Sequence, residues 1–297
     1  MSEPSGLKIT AQVRDFYEEM PFNYYSTAGD AASKVASNPL RAYPDLDALL
    51  QEHGITHVLE IGCGAGWATN SIALNYGKQV TGVDMTKAAL DRATEVSRLL
   101  GIAGRTSFVQ SDLFEFQPAN RFELVISIGV LHHTYDCRKA FDHVSNLVND
   151  GGYLFVGLYH LAGRQVFLKL FQDILEQHGE DAAFQRFAEL NSTITDLTHL
   201  RSWFRDQVLH PHETQHSLAE VIGWLDQNNL SLVSTSINGY DSIEDRGALV
   251  EEEALYAALS ESRNLVENRF FPGFFTVLAQ RVIPPGKQGE TQMTTNR

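Results

Sequence analysis

The sequence is poor in cysteine and in basic residues. Its 297 residues include only two cysteines, Cys63 and Cys137, which excludes a disulfide scaffold and favours a reducing compartment. Lys and Arg number 23 against 37 Asp and Glu, and the net charge of −14 disfavours nucleic acid or anionic lipid as a partner. No apolar run approaches the roughly 20 residues of a membrane span, and the start MSEPSGLKIT lacks the apolar core of a secretory signal. We therefore expect a cytoplasmic globular protein with a small-molecule partner and no membrane association.

Strand-like and helical runs alternate between about residues 55 and 160, which is typical of a parallel sheet covered by helices. Strands are predicted at 56–61, 79–83, 106–110, 124–128 and 153–159, with helices at 86–100 and 136–148 and a turn at 150–152. After residue 159 the pattern is mostly helical (166–175, 182–190 and 197–208), and it returns with a helix at 217–227, a strand at 230–237, a helix at 251–269 and a strand at 274–282. The predicted units are an N-terminal lid segment 1–46, a core 47–160, a helical cap insertion 161–216, the rest of the core 217–284 with a helical insertion 240–269, and a disordered tail 285–297.

Three glycines at alternate positions follow the first predicted strand. The segment reads Glu60-Ile-Gly62-Cys-Gly64-Ala-Gly66-Trp67, and glycine there allows a sharp turn and close approach of a ligand to the backbone. The dinucleotide fingerprint would need glycine at position 67, so NAD and FAD are disfavoured. A nucleotide-like cofactor is predicted, and a tight turn without a ligand is the alternative.

Acidic residues end the next two predicted strands. Asp84 could accept both hydroxyls of a ribose, and Asp112 could accept from an exocyclic amine. The fourth strand leads into the segment 127–133, which ends in His132 and His133. Each acid could instead be a helix cap, but all these clusters follow strands, whose carboxyl ends form the ligand-binding edge of an open α/β sheet.

Taken in order, these motifs resemble those of the class I S-adenosylmethionine-dependent methyltransferases. The resemblance implies a doubly wound, mostly parallel α/β sheet of seven strands in the order 3-2-1-4-5-7-6, with the last strand antiparallel. It also implies S-adenosylmethionine as cofactor and S-adenosylhomocysteine as product. The glycines would pack beneath the methionine part with support from Glu60, Asp84 would hold the ribose, Asp112 and Leu113 would face the adenine, and Ile128 and Gly129 would border the sulfonium. The cofactor set implied is Glu60, Gly62, Cys63, Gly64, Gly66, Asp84, Met85, Asp112, Leu113, Ile128 and Gly129.

Aromatic residues are concentrated ahead of the sheet, within residues 14–25. They predict a lid that closes over cofactor and substrate, with Tyr24 and Tyr25 near the reacting groups. An ordinary amphipathic helix packed on the core is the alternative.

Histidines after the fourth and fifth strands are the candidates for acceptor chemistry. His132 or His133 could take a proton from an oxygen or nitrogen acceptor, or could serve only to cap the loop. Tyr159, His160 and Arg164 are placed to line the pocket, where Arg164 could hold a carboxylate or could pack inside the insertion.

The segment His212-Glu213-Thr-Gln-His216 matches the H-E-x-x-H signature of zinc proteases. That chemistry needs both histidines in mid-helix, whereas Pro211 precedes the motif and the helical pattern starts only after Ser217. We predict no metal, and instead assign polar contacts with the substrate to His210 and His212, with helix capping as the alternative.

The resulting hypothesis is methyl transfer to an oxygen, nitrogen or sulfur atom of a small molecule. An RNA methyltransferase is the alternative within the same enzyme class. A cofactor-binding protein without catalysis and a zinc hydrolase are the alternatives outside it.

Overall fold

A computed structural model describes residues 5–283. The strands are β1 (His57–Ile61), β2 (Gln79–Asp84), β3 (Thr106–Gln110), β4 (Phe122–Ile128), β5 (Val148–Tyr159), β6 (Leu230–Thr235) and β7 (Phe274–Arg281). The helices are α1 (Ser5–Glu19), α2 (Ala28–Ala36), α3 (Pro44–Gln51), α4 (Trp67–Asn75), α5 (Lys87–Leu99), α6 (Cys137–Asn146), α7 (Leu161–Leu190), α8 (Leu197–Val208), α9 (Leu218–Gln227), α10 (Arg246–Ala254) and α11 (Tyr256–Glu261). The predicted disordered tail lies outside the described residues.

The strands form one sheet in the order β3-β2-β1-β4-β5-β7-β6. Pairs from β3 through β5 are parallel, and β7 runs antiparallel to both β5 and β6. The predicted fold class, strand order and antiparallel last strand are confirmed. The order reverses between β1 and β4, which is where open α/β sheets bind ligands.

Apolar helix faces cover both sides of this sheet. The helices α6 and α9 pack on one side through residues such as Phe141 and Val221, and α3 and α4 pack on the other through Leu46 and Ile72. The region after β5 has a smaller core of its own, built from phenylalanines of α7 and α8 that include Phe167, Phe171, Phe187 and Phe204. It is therefore a packed addition to the sheet rather than an open loop.

One local prediction differs from the structure. The turn predicted at residues 150–152 lies inside β5, where the pairing with β4 shifts register and Gly151 has φ +76°. A left-handed glycine within a strand is typical of a bulge, so the sequence signal for a turn marked an irregular strand instead. The two helices predicted at 166–175 and 182–190 lie in the two helical segments of α7, which are separated by a kink at Gly179 with φ +81°.

Residues 5–283 include no helix with the length and apolar character that crossing a bilayer requires.

Candidate functional site

The glycine turn after β1 is held against β2 by the backbone. The N–H groups of Gly62 and Cys63 donate to the carbonyl of Val83 at 2.7 and 3.0 Å. Gly62, Gly64 and Gly66 all have left-handed φ, of +72°, +50° and +78°. All three positions therefore favour glycine on backbone conformation alone.

The surroundings of the three glycines differ. A Cβ at Gly62 would lie 2.3 Å from the Val130 side chain, and one at Gly66 would lie 2.6 Å from Ala93. A Cβ at Gly64 meets nothing within 4 Å. Two of the glycines thus serve packing, and Gly64 alone leaves open space where a ligand could approach the chain.

Asp84 lies at the end of β2, beside this turn. Its Oδ2 accepts from the N–H of Gly64 at 2.8 Å, and its Oδ1 accepts from the N–H and hydroxyl of Thr86 at 2.9 and 2.7 Å. Burial raises the pKa of Asp84, although these hydrogen bonds act in the opposite direction. The carboxylate is rigidly held at the strand ends with lone pairs still available to a ligand hydroxyl.

Asp112 follows β3 on the same edge. Its Oδ1 accepts from the N–H of Phe114 at 2.8 Å, which fixes the loop that presents Leu113. The Met85 carbonyl accepts from the Gln110 side chain at 3.2 Å and ties the two loops together.

These loops border a pocket at the carboxyl ends of β1 to β4, called here the strand-end pocket. Most of the predicted cofactor set lines it: Gly62, Cys63, Gly64, Asp84, Met85, Asp112, Leu113, Ile128 and Gly129. Helix α1 covers it with Thr10, Val13 and Tyr17. Glu60 lies beneath the turn, 3% exposed, where its carboxylate accepts from the Thr69 hydroxyl and burial raises its pKa to about 8.

A second cavity of about 660 Å³, the aromatic cavity, adjoins the first. Its aromatic lining includes Tyr25, Tyr43, Tyr159, Trp203, Phe270 and Phe274, and its polar lining includes Asn23, Asp196, His199, Asp206 and Gln207. Four residues line both spaces: Phe22, Trp67, Ile128 and Gly129. A Cβ at Gly129, which has φ +75°, would meet nothing within 4 Å, so the junction is open on its glycine side.

His133 lines the strand-end pocket on a short 3-10 turn after β4. Its Nδ1 lies 2.9 Å from the carbonyl of His212, which can only accept, so Nδ1 carries the proton. Its Nε2 is buried without a hydrogen-bond partner within residues 5–283. Burial lowers the pKa of His133, so the ring is a neutral base with its lone pair on Nε2.

His132 is completely buried beside it. Its ring packs 4.0 Å from that of Tyr159, and neither nitrogen has a partner among the described residues. Burial is the largest cause that lowers its pKa well below the usual value, and the positive charge of Arg164 acts in the same direction.

Arg164 is fully buried and bonded within the protein. Its Nε and Nη2 donate to the two carboxylate oxygens of Glu213 at 2.9 and 2.6 Å, and Nη1 and Nη2 donate to Gln207 at 3.2 and 2.8 Å. Its guanidinium carbon lies 3.8 Å from the Tyr159 ring centroid. Arg164 lines neither pocket, and the structure supports the packing interpretation over the carboxylate-binding one.

The other predicted substrate residues after β5 also have protein partners. His160 caps α7, accepting from the N–H of Gly163 at Nδ1, and donates from Nε2 to Glu253 at 3.0 Å. His212 Nε2 donates to the carbonyl of Thr134 at 3.0 Å. Neither histidine borders the strand-end pocket or the aromatic cavity.

His210 packs on His133 with ring centroids 3.7 Å apart. It lies behind the two pockets and borders neither. Its Nδ1 accepts from the N–H of His212, so its position supports that of His133.

The residues of the H-E-x-x-H motif lie on the loop between α8 and α9. Glu213 bonds to Arg164, and His216 Nδ1 donates to Glu220 at 3.0 Å. Within residues 5–283, no three His, Cys, Asp or Glu side chains lie together where they could hold a metal ion.

The predicted lid tyrosines divide between two positions. Tyr25 lines the aromatic cavity with its ring stacked 3.9 Å from that of His199, and burial raises its pKa to about 12. Tyr24 lines neither space. The guanidinium carbon of Arg92 lies over the Tyr24 ring, 4.3 Å from the ring centroid. The N–H of Tyr24 donates to Ser202 on α8, so the segment after α1 is fixed to the insertion.

Sequence reasoning missed Asp206, the partner of Tyr17, which belongs to the predicted lid segment. Asp206 is 5% exposed on α8, and it accepts from the Tyr17 hydroxyl at 2.5 Å and from Gln207 Nε2 at 2.7 Å. A signal was present in the sequence, because His199, Ser202 and Asp206 recur at helical spacing and mark a polar stripe on a face that is buried.

Residues 52–180 match a family model described as a methyltransferase domain. This match identifies residues 52–180 as a methyltransferase domain, and the sheet order is the one that the resemblance to the class I S-adenosylmethionine-dependent methyltransferases implies. PKMT2 from Rickettsia typhi, solved in complex with AdoHcy, shares the fold: it is 17% identical with a TM-score of 0.57, over 82% of this chain and 53% of that one.

Two curated relatives are similar over shorter regions. An uncharacterized protein of Synechococcus sp. is 26% identical over 204 residues, which are 62% of this chain and 49% of that protein. The tRNA U34 carboxymethyltransferase of Mannheimia succiniciproducens is 33% identical over 92 residues, 31% of this chain and 28% of that protein. The chain therefore spans half or less of the length of these relatives.

Proposed function

We propose that the protein transfers the methyl group of S-adenosylmethionine to a small-molecule acceptor at an oxygen, nitrogen or sulfur atom. The observation that carries the proposal is the pair of adjoining spaces. The strand-end pocket and the aromatic cavity meet at Phe22, Trp67, Ile128 and Gly129. Transfer needs donor and acceptor in contact and in line, and two spaces with one junction provide this arrangement.

The residues of the strand-end pocket fit the cofactor. Open space beside Gly64 and Gly129 leaves the backbone accessible, and the Asp84 carboxylate is held where it could accept the ribose hydroxyls. Asp112 and Leu113 would face the adenine ring. The cofactor supplies an activated methyl group on a positively charged sulfur, and the protein has to bind it, orient it and exclude water.

Exclusion of water would depend on α1. Tyr17 closes the pocket from above and is bonded to α8 through Asp206. The chain must open at this contact to admit the cofactor, so α1 and residues 20–27 are proposed as the lid.

His133 is the proposed proton acceptor for acceptors that carry O–H or N–H. Its protonated Nδ1 is anchored to His212, and its free Nε2 belongs to a ring that lines the strand-end pocket. A neutral imidazole suits this role at neutral pH. Tyr25 would contribute to the wall of the acceptor space, and Tyr159 would lie against both the acceptor and His132.

An RNA acceptor is the second candidate, favoured by the relatives named tRNA U34 carboxymethyltransferase. Their similarity covers less than half of the chain. The negative charge of the chain, together with an aromatic cavity lined by residues of α8 and the N-terminal segment, supports a small acceptor instead.

The test uses S-adenosylmethionine carrying a deuterated methyl group. The purified protein is incubated with it and with either a small-molecule extract or total tRNA, and mass spectrometry locates the label. We expect label in a small molecule, and its loss with Asp84→Ala but not with Asp91→Ala, an exposed acid on α5. Label in tRNA alone would favour the alternative, and no S-adenosylhomocysteine formed from any extract would contradict methyl transfer.

A further inference from the structure

Asp206 places a buried carboxylate in the lining of the aromatic cavity. We propose that this cavity takes an acceptor bearing a protonated amine next to an apolar or aromatic body, with Asp206 as the counter-ion of the amine. The inference rests on the proposed function and specifies its substrate class.

Charge balance around Asp206 is the first argument. Its two hydrogen-bond donors, the Tyr17 hydroxyl and the Gln207 amide, are both neutral. The nearby cation is Arg164, whose guanidinium is engaged in two hydrogen bonds with Glu213. Two carboxylates therefore share one guanidinium, which leaves one negative charge for a bound cation to balance.

Neighbouring groups do not supply that cation. His133 is neutral because burial lowers its pKa. Lys34 also lines the cavity, but it is exposed on α2. Burial raises the pKa of Asp206, as expected for a carboxylate without a full counter-charge, and a bound ammonium would favour its ionised form.

Asp196 is the other carboxylate of the cavity lining, and its oxygens are already hydrogen-bonded within the protein. Its oxygens accept from the N–H and hydroxyl of Ser26 at 2.8 and 2.6 Å and cap α8 through Thr198. Asp206 is therefore the carboxylate available to a ligand.

The aromatic lining is the second argument. The rings of Tyr159, Trp203 and Phe274 border the same cavity as Asp206. Aromatic faces attract cations, and more strongly where water is excluded. A carboxylate surrounded by aromatic rings is the chemistry that recognises an organic ammonium, and it disfavours an anion.

For an ammonium acceptor, Asp206 takes the place of His133 as the first proton acceptor, and the chemical step balances. One proton passes from the ammonium to the carboxylate, which gives a neutral amine and a neutral carboxylic acid. The nitrogen lone pair then forms a bond to the methyl carbon, and the carbon–sulfur bond breaks with its electron pair going to sulfur. The products are a methylated ammonium and S-adenosylhomocysteine, and Asp206 returns its proton to solvent as they leave.

The experiment measures binding rather than turnover. Tryptamine, tryptophol and indole-3-acetate share one ring system and differ in carrying a cationic, neutral or anionic end. Calorimetry on the protein saturated with S-adenosylhomocysteine gives the three dissociation constants. We expect tryptamine to bind at least about tenfold more tightly than the other two, the scale of a hydrogen-bonded charge pair.

Two variants assign the preference to its residue. Asp206→Asn should abolish the advantage of tryptamine without weakening S-adenosylhomocysteine binding by more than a few-fold. Asp196→Asn removes an equal formal charge from the same cavity, keeps a good helix cap, and should retain the advantage.

Equal binding of the three probes to the wild-type protein, preference for the anion, or no binding of any probe would overturn the proposal, whatever the variants do. If S-adenosylhomocysteine itself fails to bind, the proposed function fails first. These two failures are therefore distinguishable.

Discussion

The hydroxyl of Tyr17 on α1 donates a 2.5 Å hydrogen bond to the carboxylate of Asp206 on α8, 189 positions further along the chain. Tyr17 lines the strand-end pocket and Asp206 lines the aromatic cavity. One hydrogen bond therefore connects the cover of the strand-end pocket to the wall of the aromatic cavity.

Tyr17→Phe should loosen this cover while keeping the ring. Loss of a hydrogen bond to a carboxylate is worth about 1.5–3 kcal/mol, so S-adenosylhomocysteine should bind about tenfold or more weakly. Hydrogen exchange should show protection of residues 5–27 on ligand addition in the wild type and less in the variant. Arg14→Ala, which removes an exposed side chain on the same helix, is the matched control. Hydrogen-exchange protection that does not change when the ligand is added would mean that α1 is a fixed part of the core.

The two glycines 62 and 64 should separate stability from binding. Both carry left-handed backbone, which costs an alanine roughly 1–2 kcal/mol. Gly62→Ala adds a 2.3 Å clash with Val130 and should lower the melting temperature further than Gly64→Ala. Gly64→Ala should weaken the binding of S-adenosylhomocysteine by more than the lost protein stability explains, since the added methyl group enters open pocket space. Calorimetry and thermal melts compare them, and normal binding by Gly64→Ala would remove that glycine from the site.

Breaking the Arg164–Glu213 pair should be strongly destabilising. Arg164→Met leaves a buried carboxylate without its cation, at a cost of about 3–5 kcal/mol in denaturant unfolding. The double variant Arg164→Met with Glu213→Leu should recover part of that loss. Lys169→Met breaks an exposed pair with Asp173 and should cost less than about 1 kcal/mol. A small effect of Arg164→Met would show that the insertion does not depend on this pair.

The same pair has a defined pH dependence. Burial alone would raise the pKa of Glu213, but the hydrogen bonds and charge of Arg164 outweigh it and the pKa is lowered. The contribution of Glu213 is therefore present above its ordinary value of 4.5 and is lost as pH falls through the folded-state pKa. The difference in stability between wild type and Arg164→Met should accordingly shrink in acid.

His132→Phe should change the acid response of the protein. The folded state keeps His132 neutral, because burial and then neighbouring charges lower its pKa, whereas the unfolded chain protonates it near pH 6.5. Wild-type stability contributed by this site therefore falls as pH drops below about 6.5, and phenylalanine has no such loss. Relative to wild type, His132→Phe should gain about 1.4 kcal/mol between about pH 7.5 and pH 5.5. A pH-independent difference would show that the folded protein protonates His132 as readily as the unfolded chain does.

Predictions from sequence succeeded where the signal was local. The fold, and most residues that line the strand-end pocket, were predictable from a few motifs. These are the glycines at alternate positions after an apolar strand, and Asp84 and Asp112 after the next two strands. The partners of Arg164 were not predictable, because Gln207 and Glu213 approach it only after α7 and α8 pack together. The site roles assigned to His132, His133 and Tyr25 stay predictions.

One carboxylate determines how the chain can be divided. Glu253 on α10 accepts with the same oxygen from the His160 ring at 3.0 Å and from the N–H of Leu218 at 2.5 Å. It thus stabilises the starts of two helices, α7 and α9, that come from different parts of the chain. The acidic segment 240–269 is therefore not an independent surface loop. A deletion within it that removes Glu253 would destabilise the starts of both α7 and α9.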